Sequence, residues 1–228
     1  MEHDLASGAM WYGAFLVSTV CHEAAHARVA SHFGDETARK GGQVSLNPLP
    51  HIRREPFGMV LVPILSWYFG GWIVGWASAP YDPAWARQFP RRAALMALAG
   101  PAANLAIAGA AALLIRLGYE WGSFSAPFEP AMSRLAVGDA GGMMGTAARL
   151  LSIFLSLNLL LFLFNMVPLP PLDGSQAPLL LLPPGAASRF SEALRNPVLR
   201  YAGILAAWRL IPPVLPAILG AVARALFA

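Results

Sequence analysis

His22, Glu23 and His26 stand in the pentapeptide HEAAH. An α-helix turns about 100° per residue, so residues four apart stack on one face about 6 Å apart. Two imidazoles placed in this way can hold one Zn²⁺, and the glutamate between them lies near enough to take a proton from water beside the ion. A pattern this short also arises by chance. Its setting gives it weight: it lies in an apolar run, residues 5–33, where lipid makes every polar side chain costly, and ionisable groups at such depth mark functional sites. The competing reading makes both histidines helix-end residues near the lipid headgroups.

A catalytic zinc usually takes three protein ligands and leaves a fourth position open. The stretch HEAAHARVASH offers His32, but the position that needs a glycine to turn the chain is Val29. If the helix continues, His32 points about 240° away from His26, so it is read as a helix-end residue. A glutamate about 20 residues downstream is the second option, yet nothing acidic lies between Glu36 and Glu55. Asp173 is the third, at the end of NMVPLPPLDG, residues 165–174. Pro168, Pro170 and Pro171 remove backbone donors and stop regular helix there. Unwound chain at membrane depth survives only inside protein or along a wet cavity. A carboxylate at that place, followed by glycine, can reach a metal on a neighbouring helix. The alternative is that Asp173 caps the turn that follows it.

The elements that must position these groups are membrane spans. Of the 228 residues, 57% are hydrophobic and 12% charged, against about 25% charged in soluble domains. That describes a polytopic all-α membrane protein. One membrane domain, 1–228, uses the length, with no room expected for an appended PDZ domain. The net charge is +4, with the basic residues mostly between apolar runs. That pattern suits an anionic membrane surface and shows no basic-aromatic stripe for nucleic acid. Cys21 is the only cysteine, which excludes an intrachain disulfide; it is read as a small buried residue. The first ten residues lack Lys and Arg, unlike a cleaved signal peptide.

Five apolar regions follow from a window of about 20 residues. They are 5–33, which carries HEAAH; 56–81, broken by Pro63, Gly70, Gly71 and Gly75; 93–115, rich in Ala and Gly; 150–174, ending at Asp173-Gly174; and 200–228, interrupted by Pro212, Pro213 and Pro216. The last is one kinked span or two short ones. Arg39, Lys40, Arg53 and Arg54 place the loop after the first span in the cytoplasm, as Arg189 and Arg195 do after the fourth. Residues 118–146, with Glu120, Glu129 and Asp139 against Arg134, read as external. Arg87, Arg91 and Arg92 then break strict alternation. The conflict disappears if 56–81 enters and leaves on one face, turning at Gly70-Gly71; an ordinary span is the other reading.

HEAAH in an early span together with NMVPLPPLDG in a later one resembles the site-2 protease family of intramembrane zinc metalloproteases, in its compact bacterial branch without a PDZ domain. SLNPLPH (45–51), GWASAPYDP (75–83) and AGPAAN (99–104) extend the resemblance. The resemblance implies about five to six transmembrane or re-entrant segments around a three-helix catalytic core. It implies one Zn²⁺ per chain on His22, His26 and Asp173, Glu23 as general base, and Asn165 holding substrate backbone or the oxyanion. The activity implied is a zinc metalloendopeptidase that cuts transmembrane protein substrates in or beside the bilayer, in regulated intramembrane proteolysis. The implied location is the bacterial cytoplasmic membrane. Two departures fall in expected substrate-facing loops. Where the family reads Asp-Pro after the histidine, residues 52–56 read IRREP, and Ser78 stands where Lys is commoner.

Asn47, His51 and Asn104 are further candidates for substrate contact. His51 is alternatively a solvated loop residue, and Asn104 alternatively bonds across helices. His3 is expected at the terminal surface, and Trp67, Trp72, Trp76 and Trp85 are expected as interface anchors. Ala99, Gly100, Pro101, Ala102, Ala103, Ala106, Gly109 and Ala110 predict a small-residue packing face. A helical substrate hides its carbonyls in its own hydrogen bonds and must unwind; residues 46–47 or 77–80 are expected to pair with it as a strand. The rival class is a non-enzymatic metal carrier or transporter, since broken helices with His and Asp also make ion sites. No internal repeat supports that alternative.

Overall fold

The computed structural model describes residues 4–228; the expectation for His3 lies outside them. Helix α1 (Leu5–His32) begins where the Asp4 carboxylate accepts the Ala6 N–H at 3.1 Å, an N-cap. Two short helices, α2 (Thr37–Lys40) and α3 (Pro48–Arg54), follow it. A π-turn, Phe57–Leu61, leads into α4 (Val62–Gly70). Then come α5 (Pro83–Gln88), α6 (Pro90–Glu120) and α7 (Met143–Asn165). A 3₁₀ helix (Asp173–Leu180), α8 (Pro184–Ala193) and α9 (Pro197–Phe227) complete the chain.

Helices α6, α7 and α9 are each long and apolar enough to cross a membrane. With the composition, this makes the chain an all-α membrane protein. Helix α1, 28 residues, is about 42 Å long at 1.5 Å per residue and carries the ionisable pair of turns within it. Helix α6 packs against both α1 and α7, so these three form the core.

The packing face of α6 meets the predicted one at Gly100 and Pro101 and departs from it elsewhere. Ala93, Ala97, Gly100, Pro101, Asn104, Ala108 and Ala111 are buried, whereas Ala102, Ala106, Gly109 and Ala110 face outward. Composition alone could not choose the face, because alanine is abundant all round this helix. The C-terminal region is one helix with Pro212, Pro213 and Pro216 inside it. It leans on the proline-broken turn after α7, where Val167 and Leu172 meet Ala207 and Ile211.

Residues 57–82 form a hairpin. Gly71, at φ +70°, closes α4 in the left-handed conformation that side chains disfavour. The chain then returns without helix, and the Trp76 N–H donates to the Gly58 carbonyl at 3.1 Å. A Cβ on Gly58 or Gly75 would overlap the opposite arm, so these two glycines let the arms touch. The hairpin's two ends lie together by the C-terminal end of α1. Ser78 Oγ donates to Glu55 at 2.5 Å, and the Asp82 N–H donates to Asp35 at 2.8 Å. The hairpin thus starts and finishes at the same end of α1.

Trp85 departs from the anchor expectation. It is buried, donates its indole N–H to the Phe33 carbonyl at 3.2 Å, and packs with Ala30, Ala93 and Met96. Trp72 and Trp76 are 41% and 50% exposed.

Candidate active site

The helical spacing of HEAAH brings His22 and His26 together, with ring centroids 4.6 Å apart and planes at 83°. Their Nε2 atoms approach to 2.9 Å. Asp173 reaches the same point from the first residue of the 3₁₀ helix, its Oδ2 lying 3.2 Å from His22 Nε2 and 3.4 Å from His26 Nε2. Asp173 makes no capping hydrogen bond to the turn that follows. The three prolines before it end α7 at Asn165 and swing the chain back against α6.

The far side of each ring is held. His26 Nδ1–H donates to the Met96 carbonyl at 2.8 Å, and His22 Nδ1–H donates to Asn104 Oδ1 at 2.5 Å. A carbonyl oxygen only accepts, so each Nδ1 carries the ring proton and each Nε2 turns a lone pair inward. The Asn104 orientation is fixed in turn. Its Nδ2 donates to Asn158 Oδ1 at 2.8 Å, and Asn158 Nδ2 donates to Ser18 Oγ at 2.8 Å. All four residues are buried.

Two lone pairs and a carboxylate oxygen crowded within 3.4 Å repel one another unless a cation lies between them. A tetrahedral Zn²⁺ with N and O donors and an open fourth position fits this set. The backbone leaves space for it, since a Cβ on Gly100 of α6 would overlap the Nε2 atoms of both histidines. Gly100→Ala is therefore expected to lose most bound zinc, at least about 10-fold in affinity, by analogy with outer-shell lesions. Gly109→Ala, on the same helix with nothing within 4 Å of the new carbon, is expected to keep zinc and raise thermal stability slightly. Metal analysis of both variants checks the pair.

Glu23 is buried beside the cluster, and its carboxylate, His22 and His26 also form a group within 4.8 Å of one another. Asp173 Oδ2 lies closer to both imidazoles than that limit, so Asp173 rather than Glu23 completes the tightest three-residue cluster. His32 ends α1 and packs on the Phe33 ring, away from this centre.

The three residues expected to contact substrate have these partners in the structure. Asn104 is wholly buried, with its oxygen on His22 and its nitrogen on Asn158, so it bonds across helices and positions the ring. His51 is not solvated: it is 1% exposed, and its Nε2–H donates to the Ser45 carbonyl at 3.0 Å. Asn47 uses its oxygen to cap α3 through the Leu49 N–H at 3.0 Å. Asn165 donates Nδ2 to the Leu161 carbonyl at 3.0 Å, which leaves one amide proton and the oxygen uncommitted. Asn158 escaped the sequence reading; an amide inside a run of Leu, Ile and Phe was the available signal.

The two departures from the family pattern meet in space. Ser78 donates to Glu55 at 2.5 Å, and Arg54 Nε reaches Ser78 Oγ at 3.3 Å. Further along, Asp35 accepts from Thr37 Oγ1 and from the N–H groups of Thr37 and Asp82. Burial works to raise its pKa, and these hydrogen bonds outweigh that, holding the carboxyl below the usual range. Together these contacts pin the returning arm of the hairpin alongside α1.

Residues 11–206 match the family described as Peptidase family M50. A protein of Bacillus subtilis (strain 168) named "Putative zinc metalloprotease YwhC" is 36% identical over 179 residues, which cover 78% of this chain and 71% of that protein. No solved structure matches the chain.

Proposed function

The chain belongs to peptidase family M50, and from that premise we propose that it is an intramembrane zinc metalloprotease of transmembrane protein substrates. One zinc per chain is held by His22, His26 and Asp173, with Glu23 as the general base. The observation that carries this reading is the convergence of three lone-pair donors, 2.9, 3.2 and 3.4 Å apart, with both histidine tautomers fixed from behind.

Zinc, when bound, supplies a Lewis acid for the scissile carbonyl and lowers the pKa of water beside it. The protein's own part is positioning and proton transfer. Glu23 takes the proton from the attacking water as the C–O bond forms, then delivers it to the amine as the C–N bond breaks. Buried surroundings keep bulk water away from that carboxylate and strengthen its interactions. Asn165, with one amide proton uncommitted, is assigned to substrate backbone or the oxyanion.

The substrate must unwind before its carbonyls can be reached. Among the described residues, 74–81 form no helix and make one backbone–backbone hydrogen bond, from the Trp76 N–H to Gly58, which favours this arm over residues 46–47 as the edge that pairs with it. The hairpin's shape supports the re-entrant reading of 56–81, which in turn places Arg87, Arg91 and Arg92 on the same side as Arg39 and Lys40. The protein then lies multi-pass in the cytoplasmic membrane, with residues 121–142 outside.

The test is cleavage of a single-span protein substrate by purified full-length protein. Activity is expected to vanish on chelation and return with added zinc. Bound zinc without any cleavage of such substrates would instead favour a metal carrier.

A further inference from the structure

About 10 Å from His22 along α1, a cavity of about 400 Å³ opens between the returning arm of the hairpin, α7 and α9. Phe15 of α1, Val74 and Gly75 of the arm, Leu157 and Leu161 of α7 and Trp208 of α9 are among its walls, and no lining residue carries a charge. Trp208 closes one end, meeting Trp72 and Phe164 edge to face with centroids 5.8 Å apart in each case.

The cavity has a defined place relative to the cluster. Ile73 packs on Trp11 and Phe15. Nine residues later, the Asp82 N–H bonds Asp35, just past the end of α1. Arm and helix therefore run side by side in the same direction, and the His22–His26 turn lies between those two contacts. Phe15, at the cavity, precedes His22 by seven residues, about 10 Å along the helix. A substrate strand laid on the arm advances about 3.3 Å per residue. A side chain entering the cavity thus belongs to a residue about three positions from the bond at the metal cluster.

We propose that this cavity is a specificity subsite for a bulky aliphatic or aromatic substrate side chain about three residues from the scissile bond, on the side towards the N-terminal end of α1. The inference rests on the proposed function and on substrate pairing with residues 74–81. Val74 and Gly75 line the cavity, and among the described residues the backbone of 75, 77, 79 and 81 makes no backbone hydrogen bond, so a strand held by that edge presents alternate side chains to the cavity. The volume lies in the lower part of the range for small-molecule pockets, ample for one bulky side chain. A lipid chain is the competing occupant.

The test uses full-length, zinc-loaded protein and single-span substrates that carry Ala, Leu, Phe or Asp at each of several positions on either side of the cut. At one position about three residues away, Leu or Phe is expected to be cleaved at least about 10-fold faster than Ala, with Asp slowest. Leu161→Trp, which fills the cavity, is expected to abolish or reverse that preference there alone while the Ala substrate is still cut. Leu215→Phe, filling the cavity from α9, gives the same result independently of how Leu161→Trp folds. Metal-dependent cleavage with no side-chain preference at any position overturns the subsite, leaves the protease reading standing, and is the result of a cavity that holds lipid. A preference unchanged in both variants overturns it equally. Absent or metal-independent cleavage overturns the function, and the subsite with it.

Discussion

Glu23→Gln is expected to lower peptide-bond hydrolysis by about 10²–10⁴-fold, the usual contribution of a positioned general base, while zinc stays bound. The amide keeps the size of the side chain and cannot accept the water's proton. The three atoms assigned to the metal, on His22, His26 and Asp173, are untouched by the change. Rate measurements beside metal analysis of the same preparation decide the matter. Full activity in this variant would reject the role given to Glu23, and loss of metal would make it a ligand instead.

Asp173→Asn is expected to do the reverse in the first instance: metal is lost, at least about 100-fold in affinity, and activity falls with it. The substitution removes the one negative charge that would face a divalent ion beside the two imidazoles. The change is nearly isosteric, so the turn after α7 should keep its shape, which circular dichroism and thermal unfolding can verify. The two variants separate the two three-residue groupings that this site allows. If Glu23 with His22 and His26 were the ligand set, Asp173→Asn would retain zinc and Glu23→Gln would lose it. The shorter approach of Asp173 to both rings predicts the opposite pattern.

The HEAAH helix was legible because its chemistry is local. Residues four apart share a helix face whatever surrounds them, and the α1 bounds follow the apolar run within a residue. Asp173 was legible for a related reason, as proline leaves the backbone few options and the sequence shows where the helix must stop. The turn at Gly71 was legible because few other residues tolerate its conformation. The α7 start was not: the helix begins at Met143, ahead of the expected 150, since polar residues at a span's end continue a helix without looking apolar.

Local chemistry along the chain determined that this is a membrane protein, which helix carries the paired imidazoles and where a carboxylate breaks out of a span. Only the tertiary structure decided that the carboxylate meets the imidazoles, that Met96 and Asn104 set their tautomers, and that Gly100 rather than the neighbouring alanines faces the cluster. The physical reason is distance along the chain. Asn104 lies 82 residues from His22, and hydrogen bonds across that separation depend on how α6 is rotated against α1. Apolar periodicity does not encode that rotation when small residues surround the helix, so the packing of α1, α6 and α7 settles it.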